Sequence, residues 1–309
     1  MRMLDAAAVR AATPWPELIA AIAAAVAEDS VTAPERHVHP IGLPDGGTGS
    51  LLLMPAWVDG EVIGVKTVIY VPSNAGTDVP TVNAAYLAFD GRTGQVAAVL
   101  DGDELTARRT AAISALAADH LARADAQHLL VVGSGVLSPN MARAHAAIRP
   151  LARIEVWGRR PEAAASVAET LRAEGLPAEA SADLDASIRR ADIVSCVTGA
   201  IEPLVRGELL APGTHLDLVG SFRPDMRESD DEAATRATIF VDTAAGALMS
   251  GDLAQPIADG VITEDSIVAD LRALVADEHP GRAAPHEITL FKSAGFAAAD
   301  LAAARLALR

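Results

Sequence analysis

At 309 residues the chain can hold one large domain or two ordinary ones, and half of its residues are hydrophobic, with mean hydropathy +0.25, enough for a buried core. A net charge of −16 and a pI near 4.8 exclude a general affinity for nucleic acid, which needs a surplus of Lys and Arg. No apolar stretch reaches the ~18–20 residues of a membrane span, no secretory signal pattern is visible, and the single Cys196 excludes an intrachain disulfide framework or a cysteine-built metal site. A cytoplasmic protein is expected, with neither nucleic acid nor membrane as partner.

Trp15 to Ala27 carries apolar residues at helical spacing. Ser50–Met54, Val62–Tyr70 and Val82–Phe89 read as strands, and Asp90-Gly91-Arg92-Thr93-Gly94 as a hairpin turn into a strand Gln95–Leu100. From Leu105 an Ala-rich helix runs to about Arg123. The rhythm then changes: β-rich runs at Leu129–Gly133, Ile154–Gly158, Ile193–Val197, Thr214–Gly220 and Thr238–Asp242 alternate with helical patterns or turns. That alternation predicts an α/β fold with a parallel, doubly wound Rossmann sheet. The sheet is then complete by Asp242, which leaves Glu287–Arg309, a strand and a helix, to return to the first domain.

The sharpest motif is His128-Leu-Leu-Val-Val-Gly133-Ser-Gly135-Val136-Leu137-Ser138, an apolar strand running through Gly-x-Gly into a helix. Gly133 allows the tight turn, and Gly135 lets backbone approach a pyrophosphate at the positive N-terminus of a helix expected from about Pro139, with Val136 and Leu137 as cofactor-binding positions in the turn. Ser138 replaces a third glycine with another small residue. At the end of the second strand an NAD site usually places an acidic residue for the ribose hydroxyls. Here Arg153-Ile-Glu-Val-Trp157 leads to Gly158-Arg159-Arg160. Either these are solvated arginines at a helix start, or Arg159 pairs with a 2′-phosphate. The second reading makes NADPH the expected cofactor, with NADH less favoured.

Leu105-Thr-Ala-Arg108-Arg109-Thr110-Ala-Ala, with Gly64-Val-Lys66, Gly133-Ser-Gly135 and Leu290-Phe-Lys292-Ser293-Ala-Gly295, resembles the ornithine cyclodeaminase/μ-crystallin family over nearly the whole chain. The resemblance implies a homodimer. It also implies an α+β substrate-binding and dimerisation domain (1–118 plus 285–309) with a Rossmann domain (119–284) inserted in it. Members act on α-amino or α-imino acids by hydride exchange with a nicotinamide: ornithine cyclodeaminases, alanine dehydrogenases and reductases of cyclic ketimines. Carried over by residue, the cations that grip the substrate carboxylate are Arg36, Lys66 and Arg109, with Lys66 the catalytic candidate as proton source. Thr81, Arg109, Thr198, Val219 and Ser293 join the glycine-rich turn and Gly158-Arg159-Arg160 as cofactor-binding positions.

The informative departure lies in Gly220-Ser-Phe222-Arg-Pro-Asp225-Met-Arg-Glu228. In the family, cyclodeaminases carry a catalytic aspartate where Phe222 stands, and phenylalanine transfers no proton; Asp225 is three residues on, a shift that normally redirects a side chain. The expected reaction is therefore NADPH-dependent reduction of Δ1-pyrroline-2-carboxylate, with Δ1-piperideine-2-carboxylate a further substrate, to L-proline or L-pipecolate. The alternatives are an ornithine cyclodeaminase using NAD and a non-catalytic, NADPH-dependent small-ligand binding protein. His37-Val-His39 lacks a third nearby ligand, so no metal site is expected. His215 and Cys196 read as core residues, and no Gly-x-Ser-x-Gly elbow is formed.

Overall fold

The computed structural model describes residues 1–28 and 30–309. The chain divides into two compact units, Met1–Arg109 with Phe296–Arg309, and Thr110–Gly295.

The first unit holds strands β1 (Arg2–Leu4), β2 (Val31–Thr32), β3 (His37–Gly42), β4 (Thr48–Val58), β5 (Val62–Tyr70), β6 (Val82–Asp90) and β7 (Val96–Asp101), with helices α1 (Ala6–Ala12) and α2 (Trp15–Ala27). β4 to β7 form an antiparallel meander; β2 and β3 pair with β4, and β1 lies parallel to β7. The turn from β6 to β7 is set by Asp90, whose carboxylate accepts from the N–H of Thr93 at 2.8 Å and of Arg92 at 3.1 Å, while Gly94 takes φ +69°. Side chains alternate across the sheet. Met54, Ala56, Gly64, Lys66, Tyr86, Ala88, Ala98 and Leu100 share the buried face. In α2 the buried residues Leu18, Ile19, Ile22 and Ala25 recur at helical spacing.

The boundary falls inside α3 (Gly102–Leu121). The second unit continues with β8 (His128–Val132), α4 (Leu137–Ile148), β9 (Arg153–Trp157), α5 (Pro161–Ala173), β10 (Ala178–Ala180), α6 (Leu184–Arg190), β11 (Ile193–Cys196), β12 (His215–Leu218), α7 (Asp231–Arg236), β13 (Thr238–Val241), α8 (Ala244–Ala247), α9 (Gly251–Ala258), β14 (Ile267–Asp270), α10 (Leu271–Val275) and β15 (Thr289–Lys292). Its strands form one parallel sheet in the order β10-β9-β8-β11-β12-β15-β13-β14, a doubly wound arrangement whose order reverses beside β8. Cys196 is buried in β11, and His215 is buried in β12 with Nδ1 2.9 Å from the Thr289 hydroxyl.

The tail strand corrects an expectation. β15 does not join the first unit; it lies between β12 and β13, with Thr289 opposite both His215 and Thr238. Its four residues are all buried, as a central parallel strand covered on both faces requires. Only the last helix, α11 (Ala297–Ala307), belongs to the first unit, where it packs with α2, β4 and β5 through alanines small enough for close approach. The borders accordingly fall at 109/110 and 295/296 rather than at 118/119 and 284/285. From Thr110 onward α3 is tied into the second unit: Ser114 donates to Asp217 at 3.2 Å and Arg149 to the Ala118 carbonyl at 2.8 Å. Among the described residues no helix is long and apolar enough to cross a membrane.

Candidate active site

In the first unit Lys66, on the buried face of β5, and Arg109, in α3, are 1% and 5% exposed. Both reach Asp300 of α11, which is fully buried. Lys66 Nζ lies 2.9 Å from each carboxylate oxygen, and Arg109 Nε donates to Oδ1 at 2.8 Å. The two terminal nitrogens of Arg109 make no hydrogen bond among the described residues. Two cations therefore share one carboxylate, leaving one positive charge in excess beside an open guanidinium fork, the geometry that binds a carboxylate bidentately.

Burial, and next the Arg109 charge, bring the Lys66 ammonium down to about 8, with Asp300 opposing the shift. Arg36, half-buried just before β3, adds a further positive field at Lys66. Tyr86 stands opposite Lys66 in the register between β5 and β6. Among the described residues its buried hydroxyl has no hydrogen-bond partner, and burial followed by the Asp300 charge pushes its pKa well up, so it keeps its proton. Gly64 makes room for the phenol: a Cβ there would lie 1.9 Å from the hydroxyl oxygen. The neighbouring Arg108 is structural, donating to the Thr13 hydroxyl at 2.7 Å and lying 4.0 Å from the Trp15 ring centroid. Thr81 lies half-buried between β5 and β6, its carbonyl accepting from Val71 N–H at 2.8 Å.

In the second unit β8 runs into Gly133, which takes φ +132° and donates to the Trp157 carbonyl at 2.8 Å; a Cβ there would meet the Val197 carbonyl oxygen at 2.8 Å. Gly135 and Val136 are exposed, with open space beside Gly135. α4 begins at Leu137 with no side chain capping it; Ser138 N–H donates to the Gly135 carbonyl at 3.1 Å and Pro139 carries no N–H, so among the described residues the Leu137 N–H is what the helix start offers an anion. Ser138 is buried, as a position pressed against the sheet demands. Gly158 is also required, because a Cβ would sit 2.6 Å from the Ser134 hydroxyl. Arg159 and Arg160 follow, exposed and without an ion-pair partner among the described residues. The residues present fit a dinucleotide: a glycine cradle, an uncapped helix start and free cations.

Thr198 and Val219 lie just past the carboxyl ends of β11 and β12. Ser293 follows β15, and its hydroxyl donates to Asp242 at 3.0 Å, an acceptor that also takes the N–H of Ala294 at 2.8 Å and of Gly295 at 2.6 Å. Phe222 is 39% exposed. Asp225 is held by Arg223 at 2.8 and 2.7 Å, which keeps its carboxyl below the usual range, so it is a poor proton donor. His37 and His39 are exposed on β3, and among the described residues no cluster of metal-ligating side chains gathers.

Sequence reasoning misses Asp300, Asp242 and Glu228. Asp300 carries one usable signal, as the lone carboxylate in Ala297-Ala-Ala-Asp-Leu-Ala-Ala-Ala. An acid in so apolar a helix needs a buried partner.

The ornithine cyclodeaminase/mu-crystallin family is matched by residues 1–308. The Arabidopsis thaliana protein SAR DEFICIENT 4 is 41% identical over 285 residues, covering 90% of this chain and 86% of that protein. A Delta(1)-pyrroline-2-carboxylate reductase of Paracoccus denitrificans is 40% identical over 274 residues, covering 87% and 86%. The solved Delta(1)-pyrroline-2-carboxylate reductase of Thermococcus litoralis, in complex with NADH and L-proline, superposes with TM-score 0.94 at 32% identity, over 100% of this chain and 96% of that one. The chain belongs to the ornithine cyclodeaminase/mu-crystallin family.

Proposed function

We propose that the protein is an NADPH-dependent ketimine reductase. It converts Δ1-pyrroline-2-carboxylate to L-proline, and Δ1-piperideine-2-carboxylate to L-pipecolate. The observation that carries this reading is the Lys66–Arg109–Asp300 cluster: its excess positive charge and open Arg109 fork suit an α-carboxylate. Relatives in Paracoccus denitrificans and Thermococcus litoralis that bear the reductase name support the choice of imine.

A reduced nicotinamide held by the glycine-rich turn would supply hydride for the imine carbon, and with one proton at the imine nitrogen C=N would become CH–NH. The chain's own residues do the rest. Arg109 and Lys66 hold the carboxylate, with Arg36 adding positive field, and so fix the imine carbon, since orientation lowers the barrier. Lys66, close to neutrality in its titration, is the proposed proton source. Gly133, Gly135 and the start of α4 cradle the pyrophosphate; Arg159, with Arg160 beside it, takes the 2′-phosphate. Phe222 argues against cyclodeamination, because its phenyl ring cannot exchange a proton.

The same reading includes a homodimer. On the sheet face opposite α11, Pro55, Trp57, Ile63, Val65, Leu87 and Phe89 form an apolar patch, each partly exposed in the single chain. Contiguous apolar surface of this kind marks an interface, and a second copy of this chain is the proposed occupant. Loss of absorbance at 340 nm when the cyclic imine meets NADPH tests the reductase; ammonia released from ornithine with NAD would instead mark a cyclodeaminase.

A further inference from the structure

A buried carboxylate at the carboxyl edge of the parallel sheet is left without a role by the chemistry above. Glu228 is fully buried, and its two oxygens are divided between two strands. Oε1 accepts from the Thr198 N–H at 2.7 Å and the Thr198 hydroxyl at 2.8 Å, just beyond β11; Oε2 accepts from the N–H of Gly220 at 2.7 Å and of Ser221 at 3.3 Å, just beyond β12. The Glu228 main chain is held from behind. Its backbone N–H donates to Asp252 Oδ1 at 2.7 Å, and Asp252 Oδ2 pairs at 3.0 Å with Lys292, which also donates to the Ser221 carbonyl at 2.7 Å. The approach leaves no slack: a Cβ on Gly220 would lie 2.1 Å from the Thr198 carbonyl oxygen and 2.6 Å from Glu228 Oε1.

In a doubly wound sheet the dinucleotide lies across the carboxyl ends of the strands, one mononucleotide half on each side of the point where strand order reverses. The glycine cradle after β8 and Arg159 after β9 are on the adenosine side. β11 and β12 are on the other side, where the nicotinamide half belongs. We propose that Glu228 is a positioning residue for the nicotinamide half of the cofactor, its carboxylate clamping the backbone beyond β11 and β12 at the spacing that half requires. The inference rests on the dinucleotide reading above and assigns a role within it that Thr198 and Val219 alone do not explain.

Glu228→Gln tests the clamp. The substituted amide can accept for one strand only and turns an NH2 group toward donors of the other. The probes are NADPH and NADH, and 2′-phospho-ADP-ribose, which keeps the adenosine half and lacks nicotinamide; binding is read by fluorescence and calorimetry, without turnover. The expected result is a Kd for both dinucleotides raised about tenfold or more, with the Kd for 2′-phospho-ADP-ribose within about twofold of the parent. Glu228→Asp keeps the charge near Lys292 but is one methylene too short for both strands, so it should give the same pattern more mildly and guards against a misfolded first variant. Unchanged dinucleotide affinity, or equal losses for all three probes, overturns the clamp. A parent protein that binds neither dinucleotide overturns the cofactor reading itself, and the clamp with it.

Discussion

Lys66 and Asp300, 234 residues apart in the chain, meet as a fully buried ion pair at 2.9 Å, and Arg109 completes the triad from α3. Removing the carboxylate leaves two desolvated cations facing each other. Asp300→Ala should therefore destabilise the fold by about 3–5 kcal/mol, measured by urea unfolding. A loss below about 1 kcal/mol would mean the triad is looser than its geometry.

The Lys66 ammonium, brought down to about 8 by burial, sets the direction of the pH dependence. Below that value it is protonated and can hold a carboxylate; above it the charge is lost. The kcat/KM for the imino acid should fall as pH rises through about 8. Stability moves the other way. Between about 8 and the unfolded value of 10.5, the unfolded chain binds more protons, so this group adds stability as pH rises. Lys66→Ala should cut turnover sharply while leaving NADPH affinity nearly intact. Comparable loss of both would remove Lys66 from substrate binding.

Arg159 has no ion-pair partner among the described residues and follows a strand that ends without a carboxylate. Arg159→Ala should raise the KM for NADPH about tenfold to a hundredfold, as expected for a charge-assisted contact of about 1.5–3 kcal/mol, and leave the KM for NADH nearly unchanged. Equal effects on the two cofactors would contradict the assignment of the 2′-phosphate to this residue.

Trp57 lies across from Ile63, which lies across from Phe89, on the uncovered sheet face. Trp57→Asp places a charge in the proposed dimer contact. Light scattering should show a dimer for the parent chain and a monomer for the variant. A monomeric parent would leave this apolar face in need of another partner.

Much of the fold is legible because periodicity is local. Asp90 and Gly94 mark the turn between β6 and β7, and alternating strands and helices after Leu129 announce the parallel sheet. Strand order is not local. β15 looks like any apolar run, and nothing in Thr289-Leu-Phe-Lys says that it slots between β12 and β13. The uncovered face of β4 is hidden for a related reason, since Leu51 to Val58 is apolar at nearly every position and shows no single buried side. Lys66 stands out because it interrupts an apolar strand, whereas its partner is brought to it by α11, a contact that spacing cannot reveal. Glu228 is equally hidden in a stretch with four other charged residues, Arg223, Asp225, Arg227 and Asp230; its isolation from water is a property of the packed sheet edge.

Oxidation of NADPH and of NADH with Δ1-pyrroline-2-carboxylate, followed at 340 nm with chiral analysis of the product, tests the reductase directly. The proposed reduction requires rapid oxidation, faster with NADPH, and stoichiometric L-proline. No turnover with either cofactor, or proline and ammonia formed from ornithine with NAD, would contradict it.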